Sequence, residues 1–89
     1  MEIKDIQKIM LRALGEFRVP KWSASHTEER NIFKKFPKHL RGTKKFKKAL
    51  KELYKLGFIN KYKKTGETHV SLNIKKKQEI EEFLEEDTH

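Results

Sequence analysis

The sequence predicts a single α+β domain: three helices, a two-stranded hairpin and a C-terminal helix. Three observations lead there. The chain has 89 residues, enough for one core that buries roughly 60–65% of the unfolded surface and too few for two. Apolar residues recur at helical three-four spacing over 3–17, 43–56 and 74–86, and more briefly over 27–36. Two short strand-like runs, 59–64 and 67–72, flank the turn pair Thr65-Gly66. One domain is therefore expected over 1–89, with its core in about 3–73 and a last helix in about 74–86.

In the first helix, Ile3, Ile6, Ile9, Met10, Ala13, Leu14 and Phe17 form one stripe roughly 140° wide. Gly15 weakens its last turn, and Val19-Pro20 ends it, because proline disfavours helical geometry in the preceding residue. Residues 18–26 read as irregular, with Trp22 closing one end of the core. Ser25 and Glu28 have the spacing of a capping box, so a second helix is expected over 27–36 with Ile32, Phe33 and Phe36 inward. Pro37 breaks it or opens a new turn. The third helix, 43–56, begins at Thr43 as N-cap and buries Phe46, Ala49, Leu50, Leu53 and Leu56. Gly57 stands where a left-handed residue closes a helix, and Phe58 is the apolar partner of that cap. In the hairpin, Thr68, Val70 and Leu72 alternate with His69 and Ser71, so one face is buried. Asn73 caps the final helix, with Ile74, Ile80, Phe83 and Leu84 inward.

Composition narrows the function classes. The net charge is +9, from 22 Lys and Arg against 13 Asp and Glu. The charge is blocked: net zero over 1–17, +5 over 18–42, +8 over 43–66 and −4 over 67–89. A surface that is merely solvated scatters both signs, whereas blocking argues for a polyanionic partner. The absence of cysteine excludes disulfides and thiolate zinc sites. No apolar run approaches the ~20 residues of a transmembrane helix, and the N-terminus alternates charged with apolar residues, unlike a signal peptide. A soluble cytoplasmic protein is expected, nucleoid-associated if the polyanion is DNA.

Helix-break-helix followed by a short hairpin resembles the winged helix-turn-helix superfamily. The stretch Ala49-Leu50-Lys51-Glu52-Leu53-Tyr54-Lys55-Leu56-Gly57-Phe58-Ile59, with the return strand His69-Val70-Ser71-Leu72-Asn73, carries the likeness, which covers roughly 3–73. The resemblance implies a fold in which 43–56 is the recognition helix and the hairpin is the wing, with duplex DNA as the usual partner. Some members bind RNA or only proteins, so fold alone does not assign the ligand. Trp22-Ser23-Ala24-Ser25-His26-Thr27 and Pro37-Lys38-His39-Leu40-Arg41-Gly42 also look like segments of small uncharacterised archaeal proteins, a likeness that implies no known activity.

The expected interface rests on side-chain placement. With Phe46 at zero on a helical wheel, Lys47, Lys51, Lys44, Lys55 and Lys48 fall at about 100°, 140°, 160°, 180° and 200°. All five stand opposite the apolar face. A face built only for solubility interleaves glutamates three or four residues away, and Glu52 alone is available. Lys38, His39, Arg41 and Thr43 precede the ridge, and Lys61, Lys63 and Lys64 surround the wing tip. These twelve residues are the expected nucleic-acid contacts. Tyr62, between the wing lysines, reads as a packing residue. Base-edge reading favours Arg, Asn or Gln, and the ridge has none of them. Any sequence preference falls to Arg30, Asn31, His39, Arg41 or the wing.

No pair among His26, His39, His69 and His89 has the i, i+4 spacing of a zinc site, and no glycine-rich phosphate loop is present. No enzyme activity, metal or cofactor is expected. The last helix has Lys75, Lys76 and Lys77 at its start and acids at its end, against the helix dipole. Lys75/Glu79 and Lys77/Glu81 are spaced to pair. The expected function is a nucleic-acid-binding protein, contacting double-stranded DNA mainly through phosphates, as a transcriptional regulator or chromatin accessory. The alternatives are an RNA-binding module using the same ridge, and a protein–protein adaptor for an acidic partner with dimerising terminal helices. A membrane role fits poorly, because the apolar face of 43–56 belongs to the core.

Overall fold

The computed structural model describes residues 1–15 and 27–86. They form α1 (Ile3–Gly15), β1 (Thr27–Glu28), α2 (Glu29–Phe33), α3 (Lys38–Arg41), α4 (Lys44–Lys55), β2 (Ile59–Lys64), β3 (Glu67–Leu72), a 3-10 turn over Ile74–Lys76 and α5 (Lys77–Glu85). The class is α+β, with a three-stranded antiparallel sheet ordered β1-β3-β2. The expected contributions of Phe17, Val19-Pro20, Trp22, Ser25, His26 and His89 lie outside the described residues.

α1 is buried over more than one stripe. Ile6, Met10, Ala13 and Leu14 are inside as expected, and so are Leu11, Gln7 and Lys8. Leu11 lies beyond the edge of the expected stripe, because two neighbours press on the helix there. Towards α4, Gln7 Nε2 donates a 3.1 Å hydrogen bond to the Ala49 carbonyl, a buried bond between helices. Towards α5, Lys8 Nζ lies 5.7 Å from the centre of the Phe83 ring. A polar residue enters a core at tolerable cost when its donors find such partners.

The second helix is shorter and later than the sequence suggested. Thr27 and Glu28 are strand, pairing with Val70 and His69. Glu28 is the N-cap of α2, and its side chain makes no capping bond. Phe36 follows α2 in a turn, and Pro37 is the N-cap of α3. The hairpin is accordingly joined by a third strand. β3 departs from expectation in a second way: its Ser71 is as buried as Val70 and Leu72, and its hydroxyl donates to the Tyr62 hydroxyl of β2 at 3.3 Å. The expected burial of one face alone does not extend to the end of β3, where Val70, Ser71 and Leu72 are all buried.

α4 follows the expected bounds. Thr43 Oγ1 accepts from Phe46 N. At the other end Gly57 has φ +78°, Phe58 N donates to the Leu53 carbonyl and Gly57 N to the Tyr54 carbonyl, both at 3.1 Å. This is the paired bonding of a Schellman cap. Phe46, Ala49 and Leu53 are buried, but Leu56, at the C-cap, is 49% exposed. The last periodic position has already left the helix, so it no longer shares the buried face. Phe46 is met edge-on by Phe33 and Phe36, at 5.2 and 5.0 Å between ring centres, a favoured aromatic geometry.

The C-terminal element also differs at its start. Asn73 Oδ1 accepts from Lys75 N as an N-cap, but the first turn is 3-10 and turns Ile74 outward, 48% exposed. Ile80 is buried, and Phe83 and Leu84 pack against the core. α5 docks on α1 of the same chain. Lys4 Nζ meets Glu86 Oε1 at 2.6 Å, and Arg12 donates to the Leu84 carbonyl at 3.3 Å. Glu79 pairs with Lys76 at 3.5 Å, not with Lys75.

The β2–β3 turn places Thr65 at φ +48° and Gly66 at φ +81°, the two left-handed positions of a type I′ hairpin. Gly66 suits its position, whereas a β-branched residue in left-handed backbone is strained by about 1–2 kcal/mol. Thr65→Asn is expected to raise stability by about 0.5–1 kcal/mol, read as a higher urea midpoint at unchanged m-value.

Candidate functional site

Burial of Phe46, Ala49 and Leu53 against the core leaves the other side of α4 to solvent. Lys44, Lys47, Lys48, Lys51 and Lys55 are all exposed there. Lys45, not among the expected contacts, is exposed as well and flanks the row. None of the six makes an ion pair with another described residue. Glu52, the single acid of the helix, is half-buried to one side. Six like charges on a three-turn helix repel one another, so the arrangement lowers the stability of the isolated protein slightly and favours any anion that neutralises it.

The residues leading into the ridge divide into two kinds. Lys38 and His39 are exposed on α3. Arg41 Nε donates to the Phe36 carbonyl at 3.0 Å, and Thr43 Oγ1 donates to the Leu40 carbonyl at 2.8 Å. Together with the bond from Phe46 N, this commits the Thr43 hydroxyl to holding the α3–α4 corner. Among the described residues the terminal nitrogens of Arg41 have no partner. Two residues considered for sequence preference are also tied to the fold: Arg30 pairs with Glu28 and, at 3.7 Å, with Glu67, and Asn31 Nδ2 donates to Thr27 Oγ1 at 2.8 Å.

On the hairpin, Lys63 and Lys64 are exposed beside the turn. Lys61 is placed differently. Its register partner is Val70, so it shares the helix-facing side of the sheet, and its Nζ sits 4.7 Å from the centre of the Tyr54 ring. The phenol of Tyr54 in turn donates to Glu29 Oε2. This chain of contacts, Lys61–Tyr54–Glu29, joins β2, α4 and α2. Sequence reading passed over Tyr54; its signal was its place on the flank of the apolar face, where a ring packs and a hydroxyl needs a partner.

Burial, then the hydrogen bond to Glu29 and the negative charge of that carboxylate, push the Tyr54 phenol well above its ordinary value of 10.0. Among the described residues no three His, Asp or Glu side chains stand together as a metal site, and no helix is long and apolar enough to cross a membrane. What the surface offers chemically is an array of ammonium groups, extended from α3 along α4 to the hairpin.

The raised Tyr54 value has a definite sign. The folded state holds the proton more tightly than the unfolded chain, so this group's contribution to stability is complete below pH 10 and lost as pH rises beyond it. Urea denaturation from pH 8 to 11 is expected to show parent stability falling more steeply above pH 10 than that of Tyr54→Phe. Equal slopes for the two proteins would show that the phenol is not held by Glu29.

No family model, curated protein or solved structure matches the chain.

Proposed function

We propose that this protein binds nucleic acid, with double-stranded DNA contacted mainly through its phosphates by α4 and the β2–β3 hairpin. The observation that carries the reading is the row of exposed lysines on α4, opposite the buried face and without ion-pair partners among the described residues. Lysine is a flexible point charge suited to phosphate. Lys63 and Lys64 supply a second region of contact from the hairpin.

The fold is read as a winged helix. The order helix, short strand, three helices (the first two only one turn or so long) and hairpin supports it, as does the pairing of β1 with the edge of β3 that β2 leaves open. In that reading α4 is the recognition helix and β2–β3 the wing. The ridge carries no Arg, Asn or Gln, and Arg30 and Asn31 are engaged within the fold. Both points favour an accessory role that tolerates many sequences over a regulator that reads one operator.

Fluorescence anisotropy with two unrelated duplexes at several salt concentrations tests the reading. Lys48→Ala with Lys51→Ala is expected to preserve the fold or stabilise it slightly, since Ala favours helix and repulsions disappear. Affinity should fall equally for both duplexes. The slope of log affinity against log salt should become shallower by about 0.9 for each phosphate that the variant no longer neutralises. Parent-like affinity with an unchanged slope would reduce the ridge to a solvated face. Lys63→Ala with Lys64→Ala should produce a further, separate loss.

A further inference from the structure

Beside the hairpin lies a groove of about 440 Å³, lined by Asn60, Lys61 and Tyr62 of β2 and by Asn73, Ile74 and Lys75 of the following turn. Its size lies within the roughly 300–1,000 Å³ of small-ligand sites. The groove is firmly built. Asn73 donates from Nδ2 to the Gly57 carbonyl at 2.7 Å and accepts from Lys75 N at 3.0 Å, and its backbone N donates to the Phe58 carbonyl at 3.0 Å. These bonds hold the turn in the geometry that presents Ile74 to solvent. Across from it, the Tyr62 hydroxyl accepts from Ser71 Oγ at 3.3 Å, which anchors the ring while one side of it lines the groove.

An aromatic ring and an exposed aliphatic side chain provide apolar surface for a flat heterocycle, and the ammonium group of Lys75 provides the charge that would hold a phosphate attached to it. Single-stranded nucleic acid is bound by this pairing of stacking surface and cations. Lys61 turns to the opposite, helix-facing side of β2 and reaches Tyr54 on α4, so the strand that lines the groove also borders the α4 ridge. We propose that this groove takes an unpaired nucleotide at the end of a duplex held on the α4 ridge, its base against Tyr62 and Ile74 and its phosphate at Lys75. The proposal rests on the nucleic-acid reading above. It assigns to Tyr62 a role in binding beyond the packing that the sequence suggested.

The test compares the full chain on a blunt duplex and on the same duplex with four-nucleotide 3′ or 5′ extensions, at one salt concentration. An extension is expected to tighten binding roughly tenfold. Tyr62→Ala should remove that gain without altering affinity for the blunt duplex, and Tyr62→Phe should keep it. Should Tyr62→Ala prove unfolded by circular dichroism, Ile74→Ser with Lys75→Glu takes its place, since both positions are exposed, and it too should abolish the gain. Equal binding of blunt and extended duplexes by the parent, or a gain that survives these variants, overturns the groove while leaving the ridge intact. Failure to bind the blunt duplex at all overturns the ridge reading and the groove with it. Preference for an acidic extended peptide over the extended duplex would reassign the groove to strand addition along β2, and would equally overturn the proposal.

Discussion

The packing of α4 on α1 is the constraint from which the rest of the molecule follows. Phe46, Ala49 and Leu53 are shut away from water, and Gln7 bonds to the α4 backbone at Ala49. A helix that buries a face this completely has no freedom to rotate about its axis. Its lysines must then emerge together on the opposite side. Phe33 and Phe36 close around Phe46, so the short α2 and the turn after it are positioned by the same ring. The charged surface is thus a consequence of core packing, and it is held in place by hydrophobic contacts that the lysines themselves do not make.

α1 supports a second interface, which accounts for the unfavourable charge order of α5. Acids at the C-terminal end of a helix oppose its dipole. Here the compensation comes from α1: Lys4 meets Glu86, Arg12 reaches the Leu84 carbonyl, and Lys8 lies against Phe83. Residues 4, 8 and 12 follow one another at i, i+4 spacing and form a basic row facing α5. Cations that the end of α5 lacks in its own sequence are therefore provided by a neighbour. Lys4 and Glu86 are both about half exposed, so their pairing contributes at most ~1 kcal/mol. Ile80 in the core supplies the larger attraction.

Polar bonds settle the relative placement of the hairpin. The Schellman cap at Gly57 turns the chain from α4 into β2, and Asn73 returns to the same point from the far end of β3. Lys61 on Tyr54, and Tyr54 on Glu29, then tie the strand to two helices. A hairpin so anchored at its base presents Lys63 and Lys64 at a defined distance from the α4 row, and Ile74 and Tyr62 on either side of one groove.

Much of this was legible in the chain before folding was considered. The bounds of α4, its Thr43 cap, its Gly57-Phe58 stop, the hairpin register about Thr65-Gly66 and the opposition of lysines to Phe46 all came from local pattern. Each is governed by backbone geometry over a few residues, which sequence spacing records directly. The two-residue strand at Thr27–Glu28 has no periodicity to record; it is extended because β3 offers it an edge. Ser71 is buried although its strand alternates like one with a wet face, and its hydroxyl finds its partner in Tyr62 of the neighbouring strand. Leu56 and Ile74 share the spacing of buried neighbours yet stand in solvent, because each lies at the terminus of its helix, where the backbone has turned aside. The hydrogen-bonding duties of Arg30, Asn31, Arg41 and Tyr54 were also beyond sequence. A polar side chain's partner depends on which distant segment arrives beside it, and only the packed tertiary structure decides that.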